Sequence, residues 1–231
     1  FGLVMQGVPE SDLSRLYQPT EKLLEMSASQ ENLDAFEMRS LELCKLLAES
    51  AGVALNKLGV TGSILVGLHS AGSDIDVIAY GTKNCLSVYR AIGSLFSSSD
   101  SKVQPYSEDD LRKLFKFRGS DTYTEWGSFL RTEKRKRLQG TFNGHEYFLR
   151  FIKDWDEMRE NYGDLTYTPL GKATVKATVV DDTDSLFTPC TYKVSEIRFM
   201  NGKEVDHPLI SEISSFRGRF CEIASRGESV V

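Results

Sequence analysis

Two carboxylates one residue apart, Asp74 and Asp76, follow a Gly62-Ser63 step by about a dozen positions in the stretch Gly59 to Gly81. In an extended strand, side chains alternate, so Asp74 and Asp76 face the same way and Ile75 and Val77 face the other. Their Cα atoms then lie roughly 7 Å apart. Two carboxylates so placed repel each other unless a cation lies between them. Mg²⁺ suits such a site, because it takes a few carboxylate oxygens together with substrate phosphate oxygens. Gly62 lets the backbone approach a ligand closely. Ser63 and the first amides of a following helix can hold phosphate. The chemistry these residue types allow is metal-assisted work on a polyphosphate.

The elements needed to position them are legible. Gln30–Ser50 carries Leu33, Phe36, Leu41, Cys44, Leu47 and Ala48 at helical spacing, with Gly52 as a stop. It leads into a strand expected over Lys57–Thr61, then the Gly-Ser turn, a short helix, a loop and the aspartate strand. Ser11–Ser27 reads as helical, with Ser11 or Asp12 as cap and Pro19 dividing it into a turn and a second helix. Asn84–Phe96 reads as an amphipathic helix. Val103–Tyr106 is extended, and Ser107 with the acids behind it starts a helix to about Phe117. Thr122–Leu138 is expected to be a helix with a basic end. Gly144–Ile152 reads as a strand.

Past Gly163 the pattern changes to short β-branched runs, Ala173–Val180, Thr191–Phe199 and Leu209–Phe216. Asn201-Gly202 is a hairpin signal. The expected organisation is a helical segment over 1–56, a catalytic-type domain over 57–162, and a β-rich, barrel-like module over 163–231. Phe1 in place of Met, and a last residue inside an apparent strand, read as a fragment continuing at both ends.

The chain has 231 residues, 40% of them hydrophobic and 26% charged, as in soluble globular proteins. The net charge of -5 argues against a nucleic-acid coat protein, though it leaves a local basic patch open. No stretch is apolar enough to cross a bilayer, so no membrane partner is expected. Cys44, Cys85, Cys190 and Cys221 form no C-x-x-C pair, which argues against structural zinc and for a reducing, cytoplasmic setting.

Gly62-Ser63 followed by Asp74-Ile75-Asp76-Val77 resembles the signature of the nucleotidyltransferase superfamily that includes DNA polymerase beta. The whole stretch is similar, more narrowly, to an archaeal branch of predicted nucleotidyltransferases. Phe187-Thr188-Pro189-Cys190 and Arg217 to Glu222 fit the same branch. The resemblance implies an α+β fold with a mixed sheet and helices on one side. It also implies transfer of a nucleoside monophosphate from a nucleoside triphosphate to a hydroxyl, with Mg²⁺ or Mn²⁺ as cofactor. Asp74 and Asp76 would hold metal. Gly62 and Ser63 would hold phosphates, with Ser73 and Arg150 as further nucleotide contacts.

Active members carry a third carboxylate on a neighbouring strand. Glu146 is the candidate here, and Asp154 and Asp156 are alternates. Arg150 shares a strand face with Glu146. The competing reading is an inactive nucleotide- or RNA-binding module that kept the phosphate cradle. A third is an antitoxin-like or assembly protein, which an exposed apolar patch on the first helices would favour.

Each residue also has a plainer role. The aspartates could simply end a strand in solvent, Ser63 could be a helix cap, and His69 a loop residue. His145 and His207 lack metal-spaced partners. The basic cluster Arg131, Lys134, Arg135, Lys136 and Arg137 is either a solvated helix face or a polynucleotide backbone contact. Tyr123, Trp126 and Phe129 could stack on a base or anchor the helix in the core.

Overall fold

The computed structural model describes residues 7–119, 124–158, 160–161, 163–164, 166–202 and 210–231. Two compact units result: Tyr17–Asp154, and Trp155–Val231 together with the first residues through Leu16.

The first unit is built on a mixed five-stranded sheet in the order β1-β2-β5-β4-β3. The strands are β1 (Leu58–Val60), β2 (Ile75–Tyr80), β3 (Val103–Gln104), β4 (Gln139–Phe142) and β5 (His145–Ile152). β1 runs antiparallel to β2, β2 parallel to β5, and β4 antiparallel to both β5 and β3. The parallel pair needs a long crossover, and the segments between β2 and β4 supply it. Ile75, Val77 and Ala79 of β2 and Tyr147, Leu149 and Phe151 of β5 are buried on one face. Helices α1 (Pro19–Ala28), α2 (Ala35–Ala51) and α4 (Thr82–Phe96) supply the rest of that core through Leu23, Met26, Leu43, Leu47, Val88 and Ile92. Tyr89 of α4 meets Phe151 edge-on at 6.5 Å. The opposite face carries Asp76, Phe148 and Arg150, only partly covered.

Local chemistry explains the helix limits. Asp34 caps α2 through the amides of Phe36 and Glu37, and Glu37 returns the bond to the Asp34 amide. That capping box starts the helix at Ala35 instead of Gln30, and residues Gln30–Asn32 form a tighter turn. Gly52 stops it in a left-handed conformation, φ 63°. Pro19 occupies the first helical position of α1, where a missing amide costs nothing, so the second helix begins there as expected, after a short turn at Glu10–Asp12. Ser107 and Asp110 form a second capping box for α5 (Glu108–Arg118). The expected Thr122–Leu138 helix shortens to α6 (Trp126–Glu133), and the basic run after it is turn and loop; Tyr123 lies outside the described residues.

Strand β4 was not anticipated from the sequence. It joins β5 through Asn143 and Gly144, both with positive φ (49° and 80°), the conformation a two-residue hairpin of this hand requires.

The second unit holds an antiparallel sheet in the order β8-β7-β6-β9: β6 (Ala173–Asp181), β7 (Cys190–Gly202), β8 (Glu212–Ser215) and β9 (Ser229–Val230). Among the described residues the sheet is open, so the expected barrel is not formed. Asn201 and Gly202 are not a hairpin turn either. They pair with Thr174 and Ala173 at the end of the β6–β7 ladder. Leu209, expected to begin the next strand, lies outside the described residues, as does His207. Cys221 Sγ donates to the Phe187 carbonyl at 3.5 Å, and the Glu222 amide donates to the Ser185 carbonyl at 3.2 Å. These bonds join the Ser185–Phe187 stretch to Cys221 and Glu222 of the Arg217–Glu222 segment. Tyr192 braces the same region, its hydroxyl donating to the Phe220 carbonyl at 2.6 Å.

Candidate active site

Asp74 immediately precedes β2 and Asp76 is its second residue, so the alternation of extended chain puts both on the open face. The ladder between the parallel neighbours begins at Ile75 and Tyr147. Asp74 and Glu146 sit one step before that pair, and Asp76 pairs with Phe148. Adjacent strands are about 4.8 Å apart, so Glu146 lies beside the aspartates at matching ends of the two strands. All three carboxylates share a face with Arg150, two residues beyond Phe148. The Arg150 guanidinium carbon lies 5.8 Å from the Phe148 ring centre.

The electrostatics record this crowding. Burial pushes the Asp76 carboxyl above its ordinary range, the charge of Asp74 adds to that push, and the Arg150 charge opposes it. Tyr106 donates its hydroxyl to Glu146 Oε2 at 2.9 Å. Burial raises the Tyr106 phenol, the charges of Glu146 and Asp74 raise it further, and Arg118 pulls the other way. The group therefore comprises Asp74, Asp76, Glu146, Tyr106 and Arg150, with Arg118 close by.

Gly62 crosses directly over Asp76. The Thr61 amide donates to the Asp76 carbonyl at 2.9 Å, and the chain then turns at Gly62 with φ 61°. A Cβ there would run into the Asp76 carboxylate, so only glycine fits on both conformational and steric grounds. The helix α3 (Gly62–Leu65) starts at Gly62 with Thr61 in the cap position, so Ser63 is a first-turn residue and not the cap. Ser73 braces the intervening loop, its hydroxyl accepting from the Ser70 amide at 3.0 Å.

Asp154 is set apart from this group. Asp154 follows the far end of β5 and pairs with Lys57 at 3.1 Å. Asp156 belongs to the other compact unit. Along a strand the eight residues from Glu146 to Asp154 correspond to roughly 26 Å.

His69 is tied to α2. Its Nε2 lies 2.7 Å from Asp34 Oδ2, and its ring stacks on Phe36 at 5.6 Å. Asp34, Glu37 and His69 offer ligand atoms within 4.8 Å of one another, a group that could hold a metal. Both carboxylates, however, already take the amides of the capping box. Nothing in the spacing of Asp34 to His69 announces this contact.

The basic cluster is not one face. Lys136 is buried against Glu133 Oε1 at 2.7 Å, and Lys134 reaches Glu108 at 3.6 Å. Arg137 lies over the Tyr89 ring at 4.9 Å, and Arg131 donates to the Ser128 hydroxyl at 3.0 Å. Phe129 is buried and packs with Phe115 and Trp126, and Arg112 lies over the Trp126 ring at 4.8 Å. These rings anchor α5 to α6.

No protein-family profile matches the chain, and no solved structure matches it. Among curated proteins it is similar to an uncharacterized protein of Methanocaldococcus jannaschii, MJ1086, with 31% identity over 229 residues. That alignment covers 99% of this chain and 64% of the relative, so the chain spans about two-thirds of the relative's length at most. Among the described residues, no helix is long and apolar enough to cross a membrane.

Proposed function

We propose that the Tyr17–Asp154 unit is a metal-dependent nucleotidyltransferase that moves a nucleoside monophosphate from a nucleoside triphosphate to a hydroxyl acceptor. The observation that carries this reading is the juxtaposition of Asp74, Asp76 and Glu146 on one sheet face against Gly62. The donor set fits Mg²⁺ or Mn²⁺: carboxylate oxygens only, at matching ends of two paired strands, with Gly62 making room for the Asp76 carboxylate itself. A divalent ion bound there would neutralise the charge of the triphosphate and of the departing pyrophosphate.

The protein's own groups have distinct tasks. Asp74 and Asp76 hold the cation. Ser63, whose hydroxyl bonds to no described residue, and the Gly62 backbone take phosphate oxygens. Arg150 adds positive charge on the same face for the nucleotide. Glu146 completes the acidic group and would take the proton of an incoming hydroxyl. RNA or another polynucleotide remains a candidate acceptor class.

The test is incubation with each labelled nucleoside triphosphate and Mg²⁺ or Mn²⁺, with calorimetry of a non-hydrolysable analogue in parallel. Metal-dependent binding lost in Asp74→Asn and Asp76→Asn, with pyrophosphate released by the wild type, is expected. Binding without pyrophosphate release under any acceptor condition would favour an inactive nucleotide-binding module. Unchanged affinity in both variants would overturn the site.

A further inference from the structure

We infer that Tyr106 is a positioning residue for Glu146: its phenol holds one carboxylate oxygen so that the other is presented to a divalent cation at the Asp74–Asp76 pair. The inference rests on the nucleotidyl-transfer reading and adds to it a residue outside the motif.

The fold aims this contact. Gln104 of β3 pairs with Thr141 of β4, and Thr141 pairs with Glu146 of β5. Paired residues share a face, so Gln104, Thr141 and Glu146 line up across the sheet. Tyr106 lies two residues past Gln104, after Pro105, and reaches back over β4 to Glu146 Oε2 at 2.9 Å. Immediately beyond it, the Ser107 capping box begins α5, which fixes the chain direction. The far end of α5 is fastened as well. Arg118 donates to Glu133 Oε2 at 3.1 Å and to Gln139 Oε1 at 3.2 Å, and Gln139 belongs to β4. Tyr106 is thus held from both sides by elements that themselves tie to the sheet.

The donor role has one direction. A neutral phenol donates and a carboxylate only accepts, so the hydroxyl orients Glu146 without competing for its charge. Glu146 itself is exposed, and an exposed glutamate has several rotamers open to it. The hydrogen bond selects one of them. Groups that orient metal-binding carboxylates commonly matter by about tenfold or more in affinity.

The experiment is Mn²⁺ binding, followed by electron paramagnetic resonance, in the wild type, Tyr106→Phe, Glu146→Gln and the double variant. Phenylalanine keeps the ring and removes only the hydroxyl, and thermal melts check that each variant folds. We expect Tyr106→Phe to weaken Mn²⁺ about tenfold and to alter the bound-ion line shape. In the Glu146→Gln background the same change should have no further effect, because the group it orients no longer offers a carboxylate. Additive losses, or a Tyr106→Phe affinity equal to wild type, overturn the inference and leave the acidic site standing. A wild type that binds no Mn²⁺ overturns the acidic site and the role of Tyr106 together.

Discussion

Gly62 and Asp76 compete for one space: the position a Cβ would take on Gly62 is filled by the Asp76 carboxylate. The backbone of the turn and the side chain of the strand are therefore a single fitted unit. Any reading of the site as a solvated strand end has to explain why a carboxylate is packed under a left-handed glycine.

Gly62→Ala should disrupt both partners. Alanine is strained at φ 61° and its methyl displaces Asp76. We expect a loss of stability of about 1 kcal/mol or more, together with lost Mn²⁺ binding. Chemical denaturation and Mn²⁺ titration of the same preparation check both halves.

Asp76→Asn should separate function from stability. Burial, and then the Asp74 charge, raise the Asp76 carboxyl in the folded state. The native chain therefore binds that proton more tightly than the unfolded chain does, and stability falls as pH rises from the ordinary carboxylate value through the raised one. Asparagine removes that fall. The variant should melt higher at neutral pH, on the order of a few degrees, while losing metal-dependent nucleotide binding. A lower melting point at neutral pH, or a gap between the proteins that does not close in acid, would contradict it.

Asp34→Ala should loosen the start of α2 and release His69. Helix capping by aspartate is worth about 1 kcal/mol. The Glu37 amide holds the Asp34 carboxyl below its ordinary value of 3.8, with His69 next among the causes. A depressed acid stabilises the fold above its unfolded value, and that contribution is lost as pH falls through the folded one. The stability gap between wild type and variant should accordingly be full at neutral pH and shrink below the ordinary value of 3.8. Urea unfolding across that range measures it.

Glu133→Ala should be the most damaging of these changes. Glu133 is 6% exposed and sits between Lys136 at 2.7 Å and Arg118 at 3.1 Å. Removing a carboxylate that pairs with two poorly solvated cations costs about 3–5 kcal/mol. If the network fastens α5 as described, Mn²⁺ binding should weaken too in whatever fraction remains folded. Equilibrium unfolding and Mn²⁺ titration test the pair.

Periodicity located most helices of the first unit because their buried residues recur every three or four positions, as Leu41, Cys44, Leu47 and Ala48 do in α2. It overran the start of α2, where the Asp34 cap decided the limit. It missed β4, a four-residue strand with a glycine in it, whose Asn143-Gly144 turn was the available signal. The basic run 131–137 looked like one surface in the chain. Folding scattered it, because the helix ends at Glu133 and Lys134, Lys136 and Arg137 turn to Glu108, Glu133 and the Tyr89 ring.

The sequence alone determined the aspartate pair, its common face and the glycine-serine turn before it, since these follow from residue type and a strand's twofold repeat. Only the tertiary structure decided which acid joins them. The sequence named Glu146 with Asp154 and Asp156 as alternates, and the parallel register of β2 with β5 brings Glu146 alongside the pair and leaves Asp154 at the other end of the strand. Strand pairing is a long-range choice made by burying Ile75, Val77, Tyr147 and Leu149 on the opposite face, and no local pattern encodes it.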